Sequence, residues 1–351
     1  MSETLTEKVV KPRSGLGKRL LGHDAIVIYA LIIVIIVAEV GVKYFSGPLT
    51  VGYLLIQVIP VLLIAMPMAL VIISEEIDLS VASIAGLTSA VMGVLWRDSG
   101  WDIGVVILVS VLVGVVCGAF NGFLITVVGL PSLAVTIGTL ALFRGLALVV
   151  IGDQKVTNFP KELNLFVLSK LGTTGIPTIM IFVVIVIIGF GILLHFTPFG
   201  RSLYALGYSK EAAAFVGIRV NLTKFWLFIG TGVVSSIVGV FLTLRLASAG
   251  PDNGTGMELN VIAAVLLGGV SIFGGRGTIP GVVGGVLLIG TLTYALRLAQ
   301  VPETALIIVT GSLLVISVVA PSVINFVREK VRLSRIHKIV QGPSAQGSTS
   351  A

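Results

Sequence analysis

From residue 26 to residue 320 the chain is a succession of apolar runs, each about as long as a bilayer is thick. Ten runs can be marked, at 26–45, 51–73, 79–96, 103–128, 132–151, 177–197, 222–246, 259–273, 279–299 and 303–320. A helix of roughly 20 residues crosses a hydrocarbon core about 30 Å deep. Within that core each backbone N–H and C=O must find its partner in the chain, which leaves helices as the natural spanning element. Charged residues make up 11% of the 351 positions, against about 25% in a soluble domain, too few to cover a globular surface. The expectation is an all-α polytopic membrane protein with about ten transmembrane helices.

The net charge of +7 has a definite geography. Lys8, Lys11, Arg13, Lys18 and Arg19 crowd one end, and Arg328, Lys330, Arg332, Arg335 and Lys338 crowd the other. Basic residues flanking apolar spans mark the cytoplasmic side. Both termini are therefore expected inside, and an even number of crossings returns the chain there. Residues 197–224, after the sixth run, hold Arg201, Lys210, Arg219 and Lys224 against one acid, Glu211, and fall inside as well. The basic excess is thus mostly topology, and nucleic acid is not an expected partner. Three regions follow: a cytoplasmic basic arm over 1–25, a transmembrane domain over 26–320, and a basic tail over 321–351 with a disordered end. The tail stretch "VREKVRLSRIHKIV" reads either as an amphipathic helix on inner-leaflet lipid or as a topology signal alone. The single cysteine, Cys117, excludes an internal disulfide, and no cleaved signal peptide is expected. Residues 152–177, the longest polar interruption on the outer side, have room for a short non-spanning helix.

The stretch "SEEIDLSVAS" at 74–83 sets Glu75, Glu76 and Asp78 between two uncharged runs. Carboxylates are costly in hydrocarbon, so the acids need an end of the bundle or a purpose inside it. Asp78 and Ser80 stand where an acid caps the start of a helix; the alternative is a helix break near a pathway, with Asp78 positioning a gate. "IDLSVASIAGL" from Ile77 is echoed by "MELNVIAAVLL" from Met257, a hint of repeated halves. In "VGLPSLAVTIGTLALFRG", Ser132, Thr136 and Thr139 recur at helical spacing, open to back-bonding or to lining a path. Arg144, Arg245 and Arg297 lie toward the outer ends of runs five, seven and nine. They either snorkel to headgroups or form a basic rim for an acidic docking partner. The glycine-dense "GGVSIFGGRGTIPGVVGG" permits close helix packing and an unwound hinge near Arg276 and Pro280.

Catalytic constellations are missing from the sequence. His23, His195 and His337 are far apart, no metal site is expected, and no phosphate-binding G-x-x-x-x-G-K-[ST] occurs. If ATP drives this protein, another subunit hydrolyses it. An ion-coupled carrier would need more intramembrane ionisable residues than are present.

Four motifs in order, "EEIDLSVASIAGL", "GLPSLAVTIGTLALFRGLALV", "GYSKEAAAFVGIRV" and "LNVIAAVLLGGVSIFGGRGTIPGVVGGVLLIG", resemble the permease subunit of bacterial ABC monosaccharide importers of the ribose type. Family members usually carry a small pair such as Gly-Gly before "IDLS"; here Glu75 and Glu76 stand instead. The resemblance implies a fold similar to the vitamin B12 importer's membrane subunit, the type II ABC permease fold, in the bacterial inner membrane. It implies two permease protomers around one pathway, a periplasmic sugar-binding protein, and a cytoplasmic ATPase pair that binds Mg-ATP, with no cofactor in this chain. The "SKEAAAFVGI" stretch matches the family's coupling segment, which assigns Glu211, Ala212, Ala213 and Gly217 to the ATPase contact. Pathway or gate positions are then Asp78, Ser80, Ser132 and Thr136, and docking positions Arg144, Arg245 and Arg297. Nucleosides, amino acids or an autoinducer sugar are alternative cargoes.

Overall fold

A computed structural model describes residues 23–340; most of the expected basic arm, residues 1–22, and the expected disordered tail end at 341–351 lie outside the described residues. The described chain is all helical, with no strand and two isolated bridges, Val156 to Ala249 and Lys170 to Pro177. A helix occupies each of the ten apolar runs: α1 (His23–Gly41), α2 (Pro48–Ile73), α3 (Val81–Asp98), α4 (Ile103–Thr126), α5 (Ser132–Ile151), α7 (Met180–Phe196), α10 (Val220–Leu246), α11 (Met257–Leu267), α12 (Ile279–Leu298) and α13 (Glu303–Val340). Three short helices lie between them: α6 (Lys161–Leu168) in the 152–177 interruption, then α8 (Pro198–Tyr208) and α9 (Lys210–Phe215).

Six of these helices, α1, α2, α4, α5, α10 and α12, are long and apolar enough to cross a bilayer unaided. The pair α7 and α8, bent by 66° at Thr197, makes a seventh if taken as one span. Pro198 explains the bend: it restricts Thr197 to extended backbone, and the Thr197 hydroxyl then caps α8 by accepting from the Gly200 N–H. Helix α11 and the apolar stretch Glu303–Val319 of α13 are shorter. Helix α3 is mostly buried and ends in the polar pair Arg97 and Asp98. Helix α13 runs on without interruption to Val340, past the expected boundary between membrane domain and tail at 320.

Helix α2 is the centre. From Val58 onward it is almost wholly buried, with Ile59, Ile64, Met66, Met68 and Ile73 sealed from solvent. Helices α7, α10, α11 and α12 pack around it, while α1 stands on the rim against α12 and shows most of its isoleucines outward. An apolar exterior over a packed interior is the pattern for a bundle solvated by lipid. Small residues set the closest approach: Gly114, Gly118 and Gly122, one turn apart on α4, face Gly232, Phe228 and Phe225 on α10. A Cβ on Gly118 or Gly232 would run into facing backbone, so the two helices meet main chain to main chain.

The segments between helices gather at two ends. At one end the Gly275 N–H donates to the Ile73 carbonyl at 2.9 Å, the Tyr204 hydroxyl to Gly277 O at 2.8 Å, and the Thr278 hydroxyl to Asp24 at 2.9 Å. At the other, Ala249 N–H donates to Val156 O at 2.8 Å, Asn253 to the Ser89 hydroxyl at 2.8 Å, and Lys155 pairs with Asp252 at 2.9 Å.

Candidate functional site

The seven residues 74–80 between α2 and α3 are the most heavily tied irregular segment of the bundle. Ser74 ends α2 by donating to Val71 O at 2.8 Å. Glu76 accepts from Lys224 near the base of α10, and the two side chains are 8% and 10% exposed. The Ser132 hydroxyl at the start of α5 accepts from the Ile77 N–H at 3.3 Å, and the Thr136 hydroxyl donates to Ile77 O at 3.2 Å. Asp78 is fully buried: one carboxylate oxygen accepts from the Ser80 N–H at 3.0 Å and the Ser80 hydroxyl at 2.6 Å. Its other oxygen accepts from the Thr231 hydroxyl on α10 at 2.6 Å. Asn121 on α4 completes the set by donating to the Ser80 hydroxyl at 2.8 Å.

Asp78, Ser80, Ser132 and Thr136 therefore converge on one break, held by α4, α5 and α10. They do so inside the bundle, away from its open cavity. Asp78 itself does not sit at the N-cap. Ser80 holds that place without a side-chain cap bond, and Asp78 secures the capping residue from two positions back. Thr136 also back-bonds to Ser132 O at 2.8 Å, the bond that hydroxyls at this spacing commonly make.

Helix α9 hangs from this end. Ser209 caps it by accepting from the Ala212 N–H at 3.1 Å, and donates to Glu211 at 3.0 Å. Glu211's own N–H and then the Ser209 hydroxyl hold its carboxyl below the ordinary range. Gly217 ends the turn at φ 86°, a left-handed conformation that favours glycine. Ala213 is buried, whereas Glu211 and Ala212 face outward. The neighbouring Phe215, 91% exposed, was not singled out in the sequence. Its signal is a lone aromatic after an alanine run. Lys210 lies 3.4 Å from both Glu75 and Glu76. Burial alone would lower its ammonium, but Glu76 and then Glu75 outweigh that and raise it.

The three arginines expected at an outer rim do not come together as one free cluster. Arg144 donates to the Pro251 carbonyl, and Arg297 pairs with Glu303 at 3.1 Å. Arg245 is half-buried near Arg297 and has no hydrogen-bond partner among the described residues. Arg297 and Glu303 stand at a cavity of about 510 Å³ between α2, α11, α12 and α13. Gln57, Asn260, Thr293 and Thr310 also line it. These four were legible only as single polar residues within apolar runs. Asp24, Thr278 and His195 meet near the other end, where His195 accepts from the Ile279 N–H at 3.3 Å. Among the described residues no group of three His, Cys, Asp or Glu side chains comes together as a metal site.

A many-helix apolar bundle, with a largely buried polar break near one end and a short capped helix standing outside it, defines a multi-pass membrane protein. The chain belongs to the family described as the branched-chain amino acid transport system / permease component, whose model matches residues 50–318. It is 38% identical over 289 residues to the ribose import permease protein RbsC of Bacillus subtilis, covering 82% of this chain and 89% of that one. It is 34% identical over 267 residues to the autoinducer 2 import system permease protein LsrD of Salmonella paratyphi B, covering 74% and 80%. The LsrD of an Escherichia coli strain (SMS-3-5) is 36% identical over the same length. These relatives are permeases, transport components rather than enzymes, and this chain is an ABC permease of the sugar-import kind. No solved structure matches it.

Proposed function

We propose that the chain is the membrane subunit of an ATP-driven, binding-protein-dependent monosaccharide importer. The observation that carries this reading is its likeness to the ribose import permease over nearly all of that protein's length. Ten crossings, with both termini cytoplasmic in a bacterial inner membrane, agree with the way segments share ends: 73–80, 204–224 and 268–278 meet at one end, and 152–156, 247–253 and the Arg297–Glu303 pair belong to the other. The organisation into an arm, a membrane domain and a tail, and a fold like that of the vitamin B12 importer's permease, belong to the same reading.

On this account two permease protomers enclose the path. A loaded periplasmic binding protein docks outside near Arg144, Arg245 and Arg297, and an ATPase pair carrying Mg-ATP grips α9 inside. Nucleotide-driven closure of the ATPases opens the outer gate, and hydrolysis returns the inward-facing state. The amide- and hydroxyl-lined cavity gives a sugar passing hydrogen-bond partners among apolar walls, weak enough to release it.

The test is sugar-stimulated ATP hydrolysis by the assembled complex. Glu211→Ala and Gly217→Trp should each lower the stimulation by about fivefold or more, the scale of an ordinary coupling energy, with membrane insertion intact. Unaltered stimulation in both variants would remove α9 from the coupling path.

A further inference from the structure

Two of the acids that interrupt the chain between α2 and α3 face two lysines from other segments. Glu76 accepts from Lys224 on α10, Lys210 on α9 lies 3.4 Å from Glu76, and the same ammonium lies 3.4 Å from Glu75. The cluster grades from a sealed interior to an open rim. Glu76 and Lys224 are nearly buried, whereas Lys210 and Glu75 are 39% and 49% exposed. Glu75 holds φ 63°, a left-handed conformation that side chains rarely adopt. Such strain persists where the surroundings over-determine it, and here they do. The Glu75 N–H donates to Ile72 O at 2.9 Å, its carboxylate faces Lys210, and its Cβ lies against Gly274 of the neighbouring turn. Two residues beyond Glu76, Asp78 is bonded to Thr231 of α10. Helix α9, by contrast, buries only Ala213.

We propose that Glu75, Glu76 and Lys210 are positioning residues of a charged latch, through which displacement of α9 reaches the α2–α3 break and, by way of Asp78, helix α10. The inference rests on reading α9 as the ATPase-facing segment. If Lys210 withdraws with α9, Glu76 keeps Lys224, so no buried charge is stranded. Only the Lys210 contacts at the wet rim break, and exposed pairs of that kind exchange at little cost. The cluster therefore has two arrangements, one with Lys210 seated against the break and one with the break released from α9, both with the interior charge neutralised. A lysine suits this: it is a point charge on a long flexible stem and does not demand one geometry.

The experiment uses the full complex in proteoliposomes, with D-ribose or the first monosaccharide that the wild-type complex is found to import. Lys224 variants are avoided because they leave Glu76 alone in the interior. Lys210→Glu sets like charges at the rim and should lower both sugar-stimulated ATP hydrolysis and uptake per ATP by about fivefold or more. Adding Glu75→Lys exchanges the two rim charges and should restore both to within about twofold of wild type, the signature of a pairwise interaction rather than of lost folding. Lys210→Arg should behave as wild type. If Lys210→Glu couples normally while Gly217→Trp does not, the latch is wrong and α9 keeps its role. If both couple normally, the reading of α9 fails and takes the latch with it. A Lys210→Glu defect that the charge exchange leaves untouched also overturns the latch.

Discussion

Asp78 divides its two carboxylate oxygens among three donors, two from Ser80 and one from Thr231, with no lysine or arginine in contact. Its place therefore depends on hydroxyls. Thr231→Val keeps the shape of the α10 side chain and removes one donor, leaving a buried carboxylate oxygen short by a bond. That should cost about 1–3 kcal/mol, read as a lower midpoint of thermal unfolding in detergent; an unchanged midpoint would mean that the contact carries no weight. Gly207 is as exacting for a different reason. A Cβ there would run into Ile73 O and Gly275 N, so Gly207→Ala should cost about 1–3 kcal/mol through overpacking. Gly138→Ala, where a Cβ meets open space, should stay within about 0.5 kcal/mol in the same assay. At this scale the sequence was only half legible. The acids at 75, 76 and 78 announced themselves as misfits among apolar runs. Their partners did not: Lys224 stands 148 residues from Glu76 and reads as one more cytoplasmic lysine, and Thr231 stands 153 residues from Asp78 in an ordinary apolar run. Spacing along a chain carries no record of which helices later touch.

Elements were far easier to read, because hydrocarbon demands long apolar runs and each such run became a helix. Helix α9 was visible through its alanines and its closing glycine, and α6 through the room left at 152–177. What pattern alone did not convey was pairing. The four-residue spacing of Gly114, Gly118 and Gly122 is the usual mark of a helix that meets another closely, yet only the structure supplies α10 as its partner. The consequence is specific. Gly118→Leu collides with Phe228 O and the Ile229 backbone and should separate α4 from α10, loosening Asn121 from Ser80 with them. The expected result is a sharp fall in folded, detergent-soluble protein, while Gly145→Leu, in open space on α5, should purify normally. Equal yields from the two would contradict a close α4–α10 crossing.

For the whole molecule, the two polar ends make a labelling prediction. The single native cysteine, Cys117, is buried, so introduced cysteines report with little background. Asp153→Cys should react with a membrane-impermeant maleimide in intact spheroplasts, and Phe215→Cys only after permeabilisation. The reverse order would invert the topology. Family membership answers what kind of protein this is, but the complete transport cycle is a property of an assembly, and one measurement bears on it most directly. The chain should be reconstituted in liposomes with and without its ATPase and binding protein, and the uptake of labelled monosaccharides followed. Uptake is expected only when ATP, the ATPase and the binding protein are all present. Uptake by this chain alone, collapsing with an ion gradient, would contradict the importer reading.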